Sequence, residues 1–138
     1  MYDPALVEPM RRELTDVGVE ELRTMGEVDA ILKDQKGTAL VVVNSVCGCA
    51  ASNARPGVAM AVQHGTLPDK ITTVFAGQDL EATNHARSYF KGYFPTSPQI
   101  ALMKDGEVAF MLERYDIEGR TAQDVAQRLV TAFDEHCG

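Results

Sequence analysis

The sequence Val-Val-Val-Asn-Ser-Val-Cys-Gly-Cys-Ala-Ala, residues 41–51, decides the fold of this chain. An apolar run ends in two cysteines separated by one glycine, and a segment of small, helix-forming residues follows. Residues 38–45 are mostly branched and apolar without polar alternation, which is typical of a strand that is covered on both faces of a sheet. The stretch therefore predicts a buried strand that delivers Cys47 and Cys49 to the start of a helix.

Periodic patterns on either side of this stretch predict the other helices and strands. Thr24 and Glu27 form a capping-box pattern at a helix start, and Asp105-Gly106 is a hairpin signal of type I′. Pro56 lies inside the helix that follows the cysteines and should kink it. The predicted elements are a helix over 5–16, a brief edge strand within 18–23, helices over 26–35, 48–64, 80–91 and 122–136, and strands over 38–45, 71–76, 99–104 and 107–113.

The order of these elements predicts an α/β fold. A crossover helix joins the first two strong strands, so they should be parallel, whereas the terminal hairpin must be antiparallel. Helices then flank both faces of a mixed central sheet, which is the thioredoxin-like arrangement. We expect one thioredoxin-like domain over residues 1–138, with an added N-terminal helix at about 5–16.

The composition restricts the class of protein. The chain has 138 residues, 45% of them hydrophobic, and a net charge of −7, which disfavours binding to nucleic acid or to an anionic membrane. It contains no apolar run of the roughly 18 residues that a membrane span needs, and no secretory signal pattern at its start. We therefore expect a cytoplasmic protein whose cysteines are redox-active or metal-binding rather than structural.

The Cys47-Gly48-Cys49 spacing indicates thiol–disulfide chemistry. The thiolate is the nucleophile in disulfide exchange, and the partial positive charge of a helix N-terminus makes a cysteine there more acidic. A disulfide between cysteines one residue apart closes a small and strained ring, which should be easily reduced. Gly48 lowers the conformational barrier to closing that ring. Mixed disulfides with an outside thiol should therefore compete well with ring closure.

Two other interpretations of the cysteines remain open at this level. The thiols could be buried or incidental. Alternatively, Cys47 and Cys49 could bind zinc or an iron–sulfur cluster, with His136 and Cys137 as further ligands. Cys-x-Cys is shorter than the usual spacing of metal ligands, and no second pair of that kind exists in the chain.

Several other residues are candidates for supporting roles. Asn44 and Ser45 could cap the helix or hydrogen-bond near the thiols. Arg55 could attract an anionic thiol substrate, although a surface charge is the simpler prediction. Ser97-Pro98 precedes a strand and could be a plain turn, but in a thioredoxin-like fold a cis proline at this place faces the reactive thiols. Cys137 is either an unstructured terminal thiol or a group that forms or resolves a mixed disulfide.

Beyond these patterns, the chain resembles the bacilliredoxin family over nearly its whole length. The motifs that carry the resemblance are Val43-Asn-Ser-Val-Cys-Gly-Cys-Ala-Ala, Val7-Glu-Pro-Met-Arg-Arg-Glu-Leu-Thr, Ala54-Arg-Pro, Thr73-Val-Phe-Ala-Gly-Gln-Asp, Ser97-Pro, Ile117-Glu-Gly and Ala132-Phe-Asp-Glu-His-Cys. The resemblance implies a thioredoxin-like fold and the removal of bacillithiol, a low-molecular-weight thiol, from client proteins that carry it as a mixed disulfide.

The resemblance also implies roles for the two cysteines. Cys47 would attack the mixed disulfide and take the bacillithiol onto itself, and Cys49 would resolve or modulate that adduct. Bacillithiol would be a co-substrate, because the family pattern carries no cofactor or metal site. Members of the family are also described as weak disulfide isomerases, so general exchange of protein disulfides is the alternative activity.

Overall fold

The computed structural model describes all 138 residues. Its helices and strands, in chain order, are α1 (Pro4–Thr15), β1 (Glu20–Glu21), α2 (Met25–Leu32), β2 (Thr38–Asn44), a π-helical turn (Ala50–Ala54), α3 (Arg55–Ala61), β3 (Lys70–Phe75), α4 (Leu80–Arg87), β4 (Gln99–Lys104), β5 (Glu107–Leu112), α5 (Arg114–Ile117) and α6 (Ala122–His136). None of the helices combines the length and the apolar character that crossing a membrane requires.

The strands form one mixed sheet in the order β1-β3-β2-β4-β5. β2 pairs with β3 in parallel, as expected for two strands joined by a crossover helix, and with β4 in the antiparallel sense. The hairpin of β4 and β5 is antiparallel, and the two residues of its turn, Asp105 and Gly106, have φ angles of 50° and 85° as a type I′ turn requires. The predicted edge strand exists as β1, which pairs in parallel with β3. The α/β fold class and the mixed sheet are confirmed.

β2 lies at the centre of the sheet and is buried along its whole length. Leu40 and Val42 face one core, where α1, α3 and α6 pack, whereas Ala39, Val41 and Val43 face a second core beneath α2 and α4. Alternate side chains of a strand point to opposite faces, so a strand buried on both faces needs apolar residues throughout. This explains the unbroken apolar run, and it fixes the position of the cysteines that follow.

The segment after the cysteines differs from the predicted helix over 48–64. Helical backbone begins at Gly48, widens into the π-helical turn and becomes regular only in α3. Pro56 is the second residue of α3 and donates no N–H bond to the π-helical turn that precedes it. The predicted kink is therefore a change of helix type before the proline, and the Arg55 N–H group donates to the carbonyl oxygen of Ala50 five residues earlier.

Gly57 sets how closely α3 approaches α6. A Cβ atom at this position would lie 2.6 Å from Cγ1 of Val125 and 3.1 Å from the carbonyl oxygen of Ala122. The absence of a side chain thus allows the two helices to pack tightly behind the thiol-bearing segment. Because a methyl group here has no free space, the contact holds α3 at a fixed position against the core.

Two other elements differ from the prediction, and one helix start agrees with it. The Thr24 hydroxyl accepts from the Glu27 N–H group, and the Glu27 carboxylate accepts from the Thr24 N–H group, so the capping box is confirmed at the start of α2. α4 ends at Arg87 rather than at residue 91. The short α5, over Arg114–Ile117, has no counterpart in the prediction because one helical turn carries no periodic signal.

Candidate active site

The junction of β2 with the following helix presents two free thiols. β2 ends at Asn44, and the carbonyl oxygen of Cys47 accepts the N–H groups of Ala50 and Ala51 at 3.1 and 3.2 Å. Cys47 therefore lies directly before the helical backbone and accepts its first hydrogen bonds, and Cys49 lies in the first turn. Both thiols are half-buried, and their sulfurs are in hydrogen-bonding contact at 2.7 Å.

The environment shifts the pKa values of the two thiols in opposite directions. For Cys47, burial raises the pKa, but hydrogen bonds from the Cys49 thiol, the Ser45 hydroxyl and the backbone of Ala50 and Cys49 outweigh it, so the pKa is lowered. For Cys49, burial, the hydrogen bond with Cys47 and the charge of an ionised Cys47 together raise the pKa. Cys47 is thus the thiol that ionises first, and the S–H group of Cys49 is placed to donate to that thiolate.

Arg55 lies in the protein interior, so the prediction of a surface charge is wrong, and the alternative, attraction of an anionic thiol, has no exposed guanidinium to act through. Its exposed fraction is 2%, and Nη1 donates to the side-chain oxygen of Asn44 at 3.0 Å and to the carbonyl oxygen of Ser45 at 2.7 Å. Its Nε atom lies 3.1 Å from a carboxylate oxygen of Glu13 on α1, at ion-pair distance but without hydrogen-bond geometry. Buried charges require partners of this kind. Arg55 therefore positions the loop that carries the thiols.

Asn44 and Ser45 connect this buried charge to the first cysteine. The Asn44 side-chain oxygen also accepts from the Ser45 N–H group at 2.9 Å, and the Ser45 hydroxyl accepts from the Cys47 N–H group at 3.3 Å. The Asn44 amide donates to the carbonyl oxygen of Met10 on α1 at 3.3 Å. Both residues are buried, so these bonds hold the backbone between β2 and Cys47 in one conformation.

The peptide bond between Ser97 and Pro98 is cis, so the residue pair is not an ordinary turn. Pro98 is buried at the start of β4. Two arginines hold this segment: Arg87 donates to the carbonyl oxygen of Thr96 at 2.7 Å, and Arg114 donates to that of Ser97 at 3.1 Å. Gln99 pairs with Val43 near the end of β2, and Ile100 pairs with Leu112 at the end of β5. Pro98 and Arg114 therefore lie at the end of the sheet from which β2 leads to Cys47.

Gly48, between the cysteines, is exposed and has open space around the position of a Cβ atom. Neither a close contact nor a positive φ angle requires glycine here. Its predicted role, easing the closure of the small disulfide ring, depends on backbone freedom and stays a prediction.

Cys137 and His136 lie at the opposite end of the sheet from the thiol pair. The Cys137 thiol is near Thr38, where β2 begins, and burial raises its pKa. β2 then spans about 20 Å, at a rise of about 3.3 Å per residue, before it reaches the loop with Cys47. Cysteines whose Cα atoms are more than about 7 Å apart cannot be bridged without backbone movement. The alternative metal site of these four residues is therefore not assembled, and Cys137 cannot resolve an adduct on Cys47 within the same chain.

The sequence prediction missed Arg114 and Glu118, which form an ion pair at 2.9 Å beside the cis-proline segment. Their spacing of four residues is a signal for such a pair on a helix, but the local helix ends at Ile117. It also missed Glu13, which reaches Arg55 from a helix that the chain places far from the cysteines in sequence.

Two solved structures show the same fold. A thioredoxin of Malassezia sympodialis matches with a TM-score of 0.62 at 14% identity, over 88% of this chain and 92% of that one. A second solved protein with a thioredoxin fold also has a TM-score of 0.62, at 16% identity, over 86% of this chain and 96% of that one. The fold and the paired thiols at the strand-to-helix junction define a thioredoxin-fold protein with a dithiol site.

A protein-family model described as "Disulphide isomerase" matches residues 2–137. The chain belongs to the bacilliredoxin family, as its similarity to named members shows. It is 51% identical to the bacilliredoxin of Koribacter versatilis over 138 residues, covering 100% of this chain and 95% of that protein. It is 50% identical to a bacilliredoxin of Staphylococcus haemolyticus, covering 99% of this chain and 94% of that protein. The protein is thus a thiol–disulfide oxidoreductase.

Proposed function

We propose that the protein removes a low-molecular-weight thiol, bacillithiol in hosts that make it, from client proteins that carry it as a mixed disulfide. The observation that carries the proposal is the contrast between the two thiols. The pKa of Cys47 is lowered and that of Cys49 is raised, so Cys47 ionises before Cys49, whose thiol is in hydrogen-bonding contact with it. This is the arrangement that nucleophilic attack on a disulfide needs.

The first step transfers the small thiol from the client to the enzyme. The Cys47 thiolate attacks the sulfur of the small thiol, a new S–S bond forms, and the client leaves as a thiolate that takes a proton from solvent. In the second step Cys49 loses its proton and attacks Cys47, which releases the small thiol and leaves a Cys47–Cys49 disulfide; a second molecule of small thiol can attack instead. Disulfide exchange of this kind requires only a thiolate and a disulfide as reactants, so we propose bacillithiol as co-substrate and no other cofactor.

The expected partners are bacillithiolated client proteins and the free thiol, and we expect the cytoplasm, where thiols are kept reduced, as the site of action. The net charge of −7 supports partners other than nucleic acids and anionic membranes. Cys137, at the opposite end of β2, has no part in either step.

Single-cysteine variants test the proposed steps on a client protein that carries bacillithiol. Cys47→Ala should abolish release of the thiol, whereas Cys49→Ala should carry out the first step and keep the adduct on Cys47, where mass spectrometry detects it. Cys137→Ala is the matched control and should behave as the wild type. Full activity of Cys47→Ala, or the absence of any adduct in Cys49→Ala, would contradict the proposed roles.

The second candidate function is general isomerisation of protein disulfides, which the family model's description favours. The two functions make different demands on the substrate. Rates measured with a scrambled protein disulfide and with a small-thiol adduct of the same protein separate them. Faster turnover of the adduct supports the first function, and faster turnover of the scrambled protein supports the second.

A further inference from the structure

Arg114 brings a half-exposed positive charge to the end of the sheet that carries the thiols. It begins α5, directly after β5, and its side chain is 48% exposed. Nη1 donates to the carbonyl oxygen of Ser97 at 3.1 Å, and Nε donates to a carboxylate oxygen of Glu118 at 2.9 Å. Its backbone N–H group donates to the Thr96 hydroxyl at 3.3 Å. These contacts anchor the guanidinium against the segment that leads to Pro98.

The strand register places Arg114 at the same end of the sheet as the thiols, since Leu112 pairs with Ile100 on β4 and Gln99 pairs with Val43 on β2. The charge of Arg114 and the thiols accordingly influence each other's pKa values. The hydrogen bond with Glu118 and then the charges of ionised Cys49 and Cys47 raise the pKa of Arg114. Arg114 in turn lowers the pKa of Cys49, against the larger effects of burial and of Cys47. Arg55, which holds the loop before Cys47, is buried and donates to protein oxygens. It therefore has no exposed donor for a ligand.

A guanidinium carries five N–H donors in a planar fork that suits carboxylates. One N–H group of Arg114 donates to Ser97 and one donates to Glu118. The other N–H groups have no protein partner, and the side chain that carries them is half-exposed. In a chain with a net charge of −7, such a group is the natural counter-charge for an anionic ligand near the thiols.

We infer that Arg114 is a specificity-determining residue, which favours small thiols that carry a carboxylate and presents them to Cys47. The inference rests on the proposed function, because it assigns a substrate class to the same site. Glu118 limits the effect by neutralising part of the charge, and Ser97 fixes the guanidinium beside the cis-proline segment. Neutral or positively charged thiols gain nothing from this arrangement.

Alkylation of reduced full-length protein tests the charge preference without any client. Iodoacetate and iodoacetamide both react by attack of the Cys47 thiolate on carbon with loss of iodide, and they differ only in the carboxylate. The ratio of the two rates, read at Cys47 by tandem mass spectrometry, therefore cancels the fraction of thiolate and isolates the attraction of the anion. Arg120→Gln is the matched control, since it removes the same charge from an exposed position six residues away in the chain.

In Arg114→Gln the ratio of iodoacetate to iodoacetamide rates should fall about two- to fivefold, the range expected for an exposed charge pair. Arg114→Lys should keep most of the ratio, Arg120→Gln should leave it unchanged, and Glu118→Gln should raise it. The difference between wild type and Arg114→Gln should shrink in about 1 M salt, where the screening length is about 3 Å. Equal losses of both rates in Arg114→Gln would mean a purely structural role and would overturn the inference.

A client protein loaded with either mercaptosuccinate or mercaptoethanol connects the preference to turnover. Wild type should release the carboxylate-bearing thiol with the higher kcat/KM. In Arg114→Gln the ratio of the two kcat/KM values should fall, whatever loss of rate the two thiols share. An unchanged preference in Arg114→Gln contradicts the inference alone. Failure of the wild type to release either thiol contradicts the proposed function, whereas the alkylation ratio still decides the role of Arg114.

Discussion

Arg55 is almost completely buried against the loop that carries the thiols, and its replacement by methionine tests how that loop is held. Methionine fills much of the same space but has no donor. The Ser45 carbonyl oxygen would lose its 2.7 Å hydrogen bond, and the Asn44 side-chain oxygen would keep only the bond from the Ser45 N–H group. A buried ion pair can be replaced at little cost when both partners become apolar, but here the two oxygens stay in place.

Hydrogen bonds to charged groups contribute about 1.5–3 kcal/mol each, so loss of the two Arg55 bonds should lower the free energy of unfolding by about 3–5 kcal/mol. Glu13 adds little to this loss, because its side chain is 46% exposed and stays hydrated when the arginine is removed. Arg55→Lys keeps the charge but not the planar fork, and it should fall between the wild type and Arg55→Met.

Equilibrium unfolding of the reduced protein in urea measures the difference, with Glu13→Gln as the control that should lose less than about 1 kcal/mol. The alkylation rate of Cys47 in the folded Arg55→Met protein is the second measurement. It should fall because the Ser45 hydroxyl, which lowers the pKa of Cys47, is no longer held beside that residue. An Arg55→Met protein within about 0.5 kcal/mol of the wild type, the range of an ordinary surface substitution, would refute this account.

Two further predictions concern the thiols and the helix behind them. The alkylation rate of Cys47 should rise with pH through a midpoint below the roughly 8.5 of a free thiol, and Cys49→Ala should move that midpoint upward, because the variant lacks a hydrogen bond that stabilises the thiolate. A midpoint that stays or falls in Cys49→Ala contradicts the assigned cause. Gly57→Ala should lower the free energy of unfolding in urea by about 1–2 kcal/mol. Contacts of 2.6 Å to Val125 and 3.1 Å to the backbone of Ala122 put the overpacking cost in the upper part of its usual range, about 2–3 kcal/mol, and the helix propensity of alanine offsets roughly 1 kcal/mol of it. An unchanged or higher stability would mean that α6 moves away freely.

The central strand and the terminal hairpin could be predicted from the sequence because their signals are local. An unbroken apolar run, mostly of β-branched residues, predicts β2. Asp105-Gly106 predicts the turn between β4 and β5, because these residue types tolerate positive φ angles. The position of Cys47 at the strand-to-helix junction follows from the same run. The change to a π-helical turn before α3 has no such signal, since alanines and a proline are compatible with a kinked regular helix as well.

The contacts around the thiols could not be predicted because they join elements that are distant in the chain. Arg55 is buried only because Asn44 at the end of β2 and Glu13 on α1 surround it, and neither contact leaves a mark on the sequence near the cysteines. A lone arginine in a helix is ordinarily exposed, which explains the wrong prediction. Arg114 was missed because α5 is a single turn between a strand and a loop.

Arg55 and Arg114 differ in their exposure to solvent, and this difference decides what each can do. Arg55 is 2% exposed and binds oxygens of Asn44 and Ser45, so its charge holds the loop and cannot respond to a ligand. Arg114 has a 48% exposed side chain and free donors, so its charge is available to whatever approaches the thiols. Cys47 and Cys49 also differ from each other, since the pKa of Cys47 is lowered and the pKa of Cys49 is raised. An exposed charge beside a loop that is held by buried hydrogen bonds is consistent with the proposed transfer of small adducts, because an adduct needs access to the thiols. Storage of a disulfide fits less well, because a ring closed between cysteines one residue apart is expected to be strained.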